Sequence, residues 1–391
     1  MRLAIIIGTR PEVIKMAPVI YQLRKRSESF DVVTVVTAQH REMLDQALSL
    51  FDIVPEYDLD VMYPGQSLSN LTSRVMDRMD SALGRIRPDM VLIQGDTTTV
   101  FTTALVAFYR KIPVTHIEAG LRSYDLQNPF PEEANRRLTT VLAEINCAPT
   151  NLSKARLLNE GVPPEKIVIT GNTVVDALHY IMDKPFSFAG TPLEKINFTN
   201  SRIVIVTCHR RESWGKDLEE IFLALTDVVK VFPDVRIIYP VHLNPEVQNT
   251  AQRILTDIER IHLVPPLDYL TFINLMKRSV LILTDSGGLQ EEAPTLCKPL
   301  LVLRRVTERP EAFQGGLSKV IGTSRESIVK ETACVLNRAD TANTVACGDN
   351  PYGDGTAASR IVETLERWSR GLLPLLEPDH EFTYRGKNRT L

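Results

Sequence analysis

A chain of 391 residues is too long for one ordinary core and suits two domains of roughly 150–200 residues each. Hydrophobic residues at 43% and charged residues at 24% are near the globular average, which excludes a disordered, collagenous or coiled-coil chain. A formal net charge of −3 supplies no global basic field, so neither nucleic acid nor an anionic membrane is the expected partner.

Five cysteines, Cys147, Cys208, Cys297, Cys334 and Cys347, are odd in number and lack CxxC spacing. That pattern argues against a disulfide framework or a zinc site and for a reducing cytosol. The opening apolar run at 3–7 has a buried strand's length and is too short for a signal-peptide core. No apolar stretch approaches the ~20 residues needed to span a bilayer. A soluble, cytoplasmic chain is expected.

Taken in chain order, residues 3–7, 32–37, 90–94, 114–117 and 167–170 read as strands, mostly apolar throughout as parallel strands buried on both faces are. Between them, 11–26, 41–50, 68–86, 97–110 and 131–145 read as helices, with Pro11 and Pro131 suited to a first turn. The alternation predicts a doubly wound parallel α/β sheet. Residues 183–201 lack periodicity and read as a linker. The rhythm restarts with strands at 202–207, 235–240, 261–264, 280–284 and 300–303, and helices near 218–231, 269–277 and 326–337. A last helix at 357–370 precedes a Pro- and charge-rich tail. The expected organisation is an N-terminal Rossmann-like domain at 1–182, completed by 357–391, and a second such domain at 202–356, with a cleft between them.

Ligands of such sheets bind beyond the carboxyl ends of the strands. The first strand is followed by Gly8-Thr9-Arg10-Pro11-Glu12, with Lys15 one turn on; the segment is neither GxGxxG nor GxxxxGK[ST]. Arg10 and Lys15 either add charge to an anion site or are solvated basic side chains of a plain turn. Asp96 follows the 90–94 strand, Glu118 follows 114–117, and Glu132-Glu133 open the helix after Pro131. Singly these are a helix cap, a loop carboxylate and a dipole pair. Gathered together, carboxylates raise one another's pKa and suit acid/base work near neutral pH. In the second half, His209 stands beside Arg210 and Arg211 at a strand end, a setting for a phosphate. Ser286-Gly287-Gly288 form a candidate anion cradle, with Glu292 six residues on for ribose hydroxyls and Arg309 as a further candidate. One half thus reads as a nucleotide-diphosphate holder and the other as a carboxylate-bearing partner.

These residues carry a collinear likeness from residue 1 to about 370: GTRPEVIKMAP at 8–18, TAQHREMLDQ at 37–46, QGDTTT at 94–99, HIEAGLRS at 116–123, PFPEEANRR at 129–137, TGNTVVDAL at 170–178, HRRE at 209–212, YPVHLNP at 239–245, LTDSGGLQEEAP at 283–294, TERPEA at 307–312 and NPYGDG at 350–355. Together they resemble the non-hydrolysing UDP-N-acetylglucosamine 2-epimerases. The resemblance implies a GT-B fold, interconversion of UDP-GlcNAc and UDP-ManNAc through 2-acetamidoglucal, no NAD or metal cofactor, and a homodimer. It implies that Asp96, Glu118 and Glu132 are the acid/base carboxylates and His209 the active-site histidine. Arg10, Lys15, Ser286, Gly287, Gly288, Glu292 and Arg309 match nucleotide-sugar positions, and Phe272 a uracil-lining one.

Some bacterial members bind a second UDP-GlcNAc as activator, and Gln39, Arg210 and His242 resemble residues of that site. Glu42 and Gly65, however, stand where that site uses a glutamine and an arginine. Leu267 replaces a glutamine near the base, Arg304-Arg305-Val306 precedes Thr307 where an acid or asparagine is commoner, and Cys208 replaces a small residue. The rival readings are a GT-B glycosyltransferase with a UDP-sugar donor, a hydrolysing epimerase releasing UDP and ManNAc, and a nucleotide-sugar-binding regulator. The three carboxylates in the first half weigh against a transferase, which has no evident use for them.

Overall fold

The computed structural model describes residues 1–391 except 38–40, 64, 211–212, 306, 314–315, 340–348 and 386–391. It divides into two compact units, Met1–His179 with Tyr352–Tyr384, and, among the described residues, Tyr180–Pro351 with Arg385.

In the first unit, β1 (Arg2–Ile7), β2 (Asp31–Val36), β3 (Tyr57–Asp58), β4 (Met90–Gln94), β5 (Val114–Ile117), β6 (Ile145–Ala148) and β7 (Ile167–Ile169) form one sheet in the order β3-β2-β1-β4-β5-β6-β7. Every pairing is parallel. Helices α1 (Arg10–Arg24), α2 (Arg41–Leu50), α3 (Leu68–Ile86), α4 (Thr98–Tyr109), α5 (Glu132–Leu142), α6 (Asn151–Asn159) and α7 (Thr173–Met182) make the connections, α7 running past the division between units. The unbroken apolar character of the central strands follows from this layering. β4 is buried at every position because helices cover both its faces. α3 shows the complementary pattern, burying Leu71, Val75, Met79, Leu83 and Ile86 as one helical stripe behind its Ser67 cap.

In the second unit, β8 (Arg202–Thr207), α8 (Lys216–Val231), β9 (Val235–Pro240), α9 (Pro245–Leu255), β10 (Ile261–Val264), α10 (Tyr269–Arg278), β11 (Ser279–Thr284), α11 (Gly287–Glu292), β12 (Leu300–Val302), β13 (Ser318–Val320) and α12 (Arg325–Ala339) follow in turn. The sheet order is β10-β9-β8-β11-β12-β13, again parallel throughout. Its core joins strand residues such as Val204, Ile237 and Leu281 to Phe222 and Leu225 of α8 and Ile328 of α12. Two doubly wound parallel sheets of this kind are the pair of units that a GT-B fold comprises.

The chain then returns to the first unit as α13 (Ala357–Ser369). Asp176 of α7 accepts the first N–H groups of that helix, Ala357 at 3.2 Å and Ala358 at 2.9 Å, as an anion at a helix N-terminus does. Burial raises its pKa to about 6 against those two bonds. Arg26 pairs with Glu366 of α13 at 2.7 Å. The motif segments at 170–178 and 350–355 therefore meet around one cap.

Three differences from the sequence expectation have local causes. The helix expected at 131–145 ends at Leu142, because Ala143 turns extended and Glu144 N–H donates to Val114 O at 2.8 Å, drawing 145–148 into the sheet as β6. The short β3 and β13, at two and three residues, offer too few positions for a period-two pattern. Helices α6, α7 and α9 lie outside the expected set: at 9, 10 and 11 residues they carry too few turns for a clear apolar repeat. Of these, α6 and α9 start at the Thr150 and Asn244 caps, which accept from Ser153 N–H at 3.1 Å and Glu246 N–H at 2.9 Å. Cys147, Cys208 and Cys334 are free thiols, whereas Cys297 is disulfide-bonded, against the reduced state expected of all five. Among the described residues no helix is long and apolar enough to cross a membrane.

Candidate active site

A doubly wound sheet opens a crevice where the strand order reverses. In the first unit that point lies between β1 and β4, with β5 beside β4. The candidate residues of this half leave from those three strand ends. Gly8 is required by close approach: a Cβ there would stand 2.8 Å from the Thr99 hydroxyl and 3.0 Å from that of Thr37. The turn therefore lies flat against β2 and α4, and Arg10 follows half-buried at the start of α1.

Lys15, one turn along α1, donates to both oxygens of Glu118 at 2.7 and 2.6 Å, and both residues are buried. Gln94, the last residue of β4, donates its amide to the same carboxylate. Glu118 is held in left-handed backbone geometry at φ 67°, a costly state for a residue with a Cβ. Two elements, α1 and β4, thus converge on the carboxylate that follows β5. Asp96 is held differently: Arg136 of α5 contacts its Oδ2 through Nη2 at 2.7 Å and Nε at 2.9 Å. Asn135 donates to the Asp96 backbone carbonyl at 2.9 Å. Glu132 lies one turn before Arg136 on the same helix and is half-buried. The neighbouring Glu133 is fully buried, accepting from Ser123 N–H at 2.9 Å and Arg136 at 3.1 Å, and so serves the α5 entry loop.

Two buried groups here were not singled out from sequence. His116, on β5, sets Nε2 2.7 Å from Gly95 O, which fixes the Nε2–H tautomer, and burial lowers its pKa to about 4. A neutral ring thus supports the turn bearing Asp96. Glu12 is 2% exposed and accepts from Gly8 N–H and, at 3.2 Å, from the Thr9 hydroxyl. Burial raises its pKa to about 7.

In the second unit the order reverses between β8 and β11. His209 follows β8 and Asp285 follows β11. Asp285 Oδ1 lies 3.0 Å from His209 Nδ1, and its Oδ2 accepts the N–H groups of His209 and Arg210, each at 2.7 Å. Burial opposes charge on Asp285, but these bonds outweigh it and hold its pKa below the ordinary value. The histidine is therefore oriented by a buried carboxylate through Nδ1. The exposed His242 ring stacks on it at 5.6 Å, and burial together with His209 lowers the His242 pKa. Gln39 lies outside the described residues. Cys208 is buried and its thiol pKa is pushed well up by burial and by Asp285, so it is no nucleophile.

The two glycines after Ser286 differ. A Cβ on Gly287 would meet Arg309 Nη1 at 2.4 Å, whereas one on Gly288 meets nothing closer than 4.0 Å. Arg309 itself is buried and committed to Glu291 and Glu308, each at 2.6 Å. Burial alone would raise Glu308, but Arg309 and Arg304 hold it well below the usual carboxylate range. Arg304, one of the residues that departs from the family pattern, thus belongs to this buried network through a 2.8 Å contact with Glu308. Glu292 accepts from the Tyr269 hydroxyl at 2.9 Å. Phe272 lies half-buried one turn along α10 from Asp268, which caps that helix. Leu267, just before that cap, is 7% exposed. Among the described residues no group of three or more His, Cys, Asp or Glu is arranged to hold a metal ion.

A family model described as UDP-N-acetylglucosamine 2-epimerase matches residues 22–366. A UDP-N-acetylglucosamine 2-epimerase from Escherichia coli O157:H7 is 48% identical over 371 residues, 94% of this chain and 98% of that one. The crystal structure of a Neisseria meningitidis UDP-GlcNAc 2-epimerase bound to UDP-GlcNAc is 45% identical with a TM-score of 0.87, covering 94% of this chain and 100% of that one. A Methanocaldococcus jannaschii UDP-GlcNAc 2-epimerase, solved with UDP-GlcNAc and UDP, is 33% identical with a TM-score of 0.80 over 94% of this chain and 99% of that one.

Proposed function

The chain belongs to the UDP-N-acetylglucosamine 2-epimerase family, and from that premise we propose that it interconverts UDP-GlcNAc and UDP-ManNAc without net hydrolysis. The C2 hydrogen of the sugar is not next to a carbonyl, so simple deprotonation is slow. Elimination solves this. A base takes the C2 proton, the C1–O bond breaks, UDP leaves with the electron pair, and C1=C2 forms in 2-acetamidoglucal. Re-addition sends a diphosphate oxygen to C1 while an acid delivers a proton to the other face of C2. Neither step of this route transfers a hydride, so the route calls for no redox cofactor.

The observation that carries this reading is the cluster at the first unit's strand reversal. Glu118 there is held by Lys15, and Asp96 by Arg136. The cations fix these carboxylates at the strand ends and favour their ionised, proton-accepting form. Asp96, Glu118 and Glu132 are assigned the acid/base work. His209, oriented by Asp285, is assigned to the departing diphosphate. Arg10, Lys15, Ser286, Gly287, Gly288, Glu292, Arg309 and Phe272 are assigned to the nucleotide sugar, with Arg309 acting through the Gly287 turn that it packs against.

The test is incubation with UDP-GlcNAc in D₂O, followed by NMR. Deuterium at C2 with UDP-ManNAc and little free UDP supports the assignment. Stoichiometric UDP with free ManNAc identifies a hydrolysing epimerase. Retained protium with UDP release only on adding an acceptor identifies a transferase. The same assay tests an activator role for Arg210 and His242: a hyperbolic UDP-GlcNAc curve, and UDP-ManNAc turnover without added UDP-GlcNAc, exclude it. A homodimer is also proposed, because the packed pair α4 and α5 exposes Phe108 at 59%, Tyr109 at 66% and Val141 at 83%. Light scattering at twice the chain mass supports it, and a monomer mass refutes it.

A further inference from the structure

Two acids open α5, and they live in different surroundings. Glu132 is half-buried, whereas Glu133 is 0% exposed, a burial that a carboxylate tolerates only with hydrogen bonds and a counter-ion. Glu133 has both. Its Oε1 accepts Tyr124 N–H at 3.2 Å, and its Oε2 accepts Ser123 N–H at 2.9 Å and Arg136 Nη1 at 3.1 Å. Tyr124 stands at φ 63°, a left-handed conformation that a residue with a Cβ keeps only where its surroundings fix it. Arg136, 5% exposed, turns its other two nitrogens, Nε and Nη2, to Asp96 Oδ2 at 2.9 and 2.7 Å. One guanidinium thus spans two carboxylates, a fork that a lysine ammonium cannot reproduce.

We propose that Glu133 is a positioning residue for proton transfer, its carboxylate anchoring Arg136 to the Ser123–Tyr124 turn and thereby setting both the place and the proton affinity of Asp96. This rests on the acid/base role assigned to Asp96 under Proposed function. With Glu133 in place, Arg136 divides its charge between two anions. Without that second anion, the guanidinium acts on Asp96 alone and holds it more firmly ionised. An Asp96 held so takes up a proton poorly, which slows a base and an acid alike. The other titratable groups around Asp96 are Glu132 on α5, Glu12 on α1 and His116 on β5, whose ring burial keeps neutral. Arg122 reaches α5 through the Thr140 hydroxyl at 2.8 Å and is committed to Glu160 at 2.8 Å. Replacing Glu133 leaves all of these groups in the chain, so a change at Asp96 reports on Glu133 and Arg136.

Measurements on the full-length protein test this. In protein labelled with ¹³C at aspartate carboxyls, the resonance lost in Asp96→Asn should titrate about one pH unit lower in Glu133→Gln than in the wild type. In Glu133→Asp, which keeps the charge, it should stay within about 0.3 unit of the wild type. Equal midpoints in Glu133→Gln and the wild type overturn the proposal. In kinetics, Glu133→Gln should lower kcat by about 10- to 30-fold with KM changed by less than about threefold. One limb of its kcat–pH profile should move to lower pH with the Asp96 midpoint, and Glu133→Asp should recover about a third or more of the wild-type kcat. A Glu133→Gln protein that melts earlier but keeps the wild-type pH profile has lost only a structural contact, and that result overturns the proposal. If Glu133→Gln loses its fold by circular dichroism, the wild type decides alone. In ¹⁵N-arginine-labelled protein, the guanidinium lost in Arg136→Lys should show separate Nη1 and Nη2 signals, as a fork pinned on both sides requires; one averaged signal overturns the bridge. Absence of UDP-GlcNAc epimerisation by the wild type refutes the functional reading instead, and the Asp96 titration still decides the link to Glu133.

Discussion

The two units place their candidate residues at the same point of the same topology, yet they arm it differently. In the first, β4 at the reversal and its neighbour β5 are followed by carboxylates gripped by Arg136 and Lys15. In the second, they end in one histidine on a buried aspartate, backbone N–H groups and two glycines, while Arg309 is spent inside on Glu291 and Glu308. Topology decides where a site forms, and the side chains at the strand ends decide what it does. The first arrangement suits proton transfer at carbon, and the second suits holding an anion that comes and goes.

The sharpest way to break this division is to neutralise a carboxylate of the first unit. Asp96→Asn or Glu118→Gln should cut C2 deuterium exchange by about 10²–10⁴-fold, measured by NMR; a loss below tenfold means the group does not move the proton. In the second unit, Asp285→Asn removes the charge that orients His209 and should lower kcat/KM by about 10- to 100-fold. Steady-state kinetics checks it, and an Asp285→Asn protein with kcat/KM intact would show that the histidine needs no charged orienting partner. Gly287→Ala forces a Cβ onto Arg309 Nη1 and should weaken UDP binding with a stability loss of about 1–3 kcal/mol. Calorimetry and thermal melts read both. The smallest effect concerns pH. The Glu12 pKa is raised in the folded state, so its contribution to stability is full below about 4.5 and is lost as pH rises through about 7. The melting temperature of the wild type should therefore fall relative to Glu12→Gln over that interval, and a constant difference contradicts the raised pKa.

Much of the fold was legible because long parallel strands and their helices announce themselves by composition and period. The elements at 41–50, 68–86, 202–207 and 235–240 lie where their apolar patterns put them. The strand at 145–148 did not, since Leu142 and Ala143 prolong a helical pattern that only the edge of β5 interrupts. In the site, Asp96, Glu118 and His209 were visible as strand-end residues. Their pairings were not. Asp285 meets His209 only because β8 and β11 are neighbours, and Arg136 meets Asp96 only because α5 packs beside α4. Glu12 reads as an exposed dipole acid, and only the flat turn at Gly8 shows why it is buried.

The division of labour is tested most directly by the affinity of Glu118→Gln for UDP. Isothermal titration should give a Kd within about threefold of wild type, although C2 exchange has collapsed. A Kd weakened as much as turnover would mean that the carboxylate cluster holds the nucleotide, and the contrast between the two units would fail.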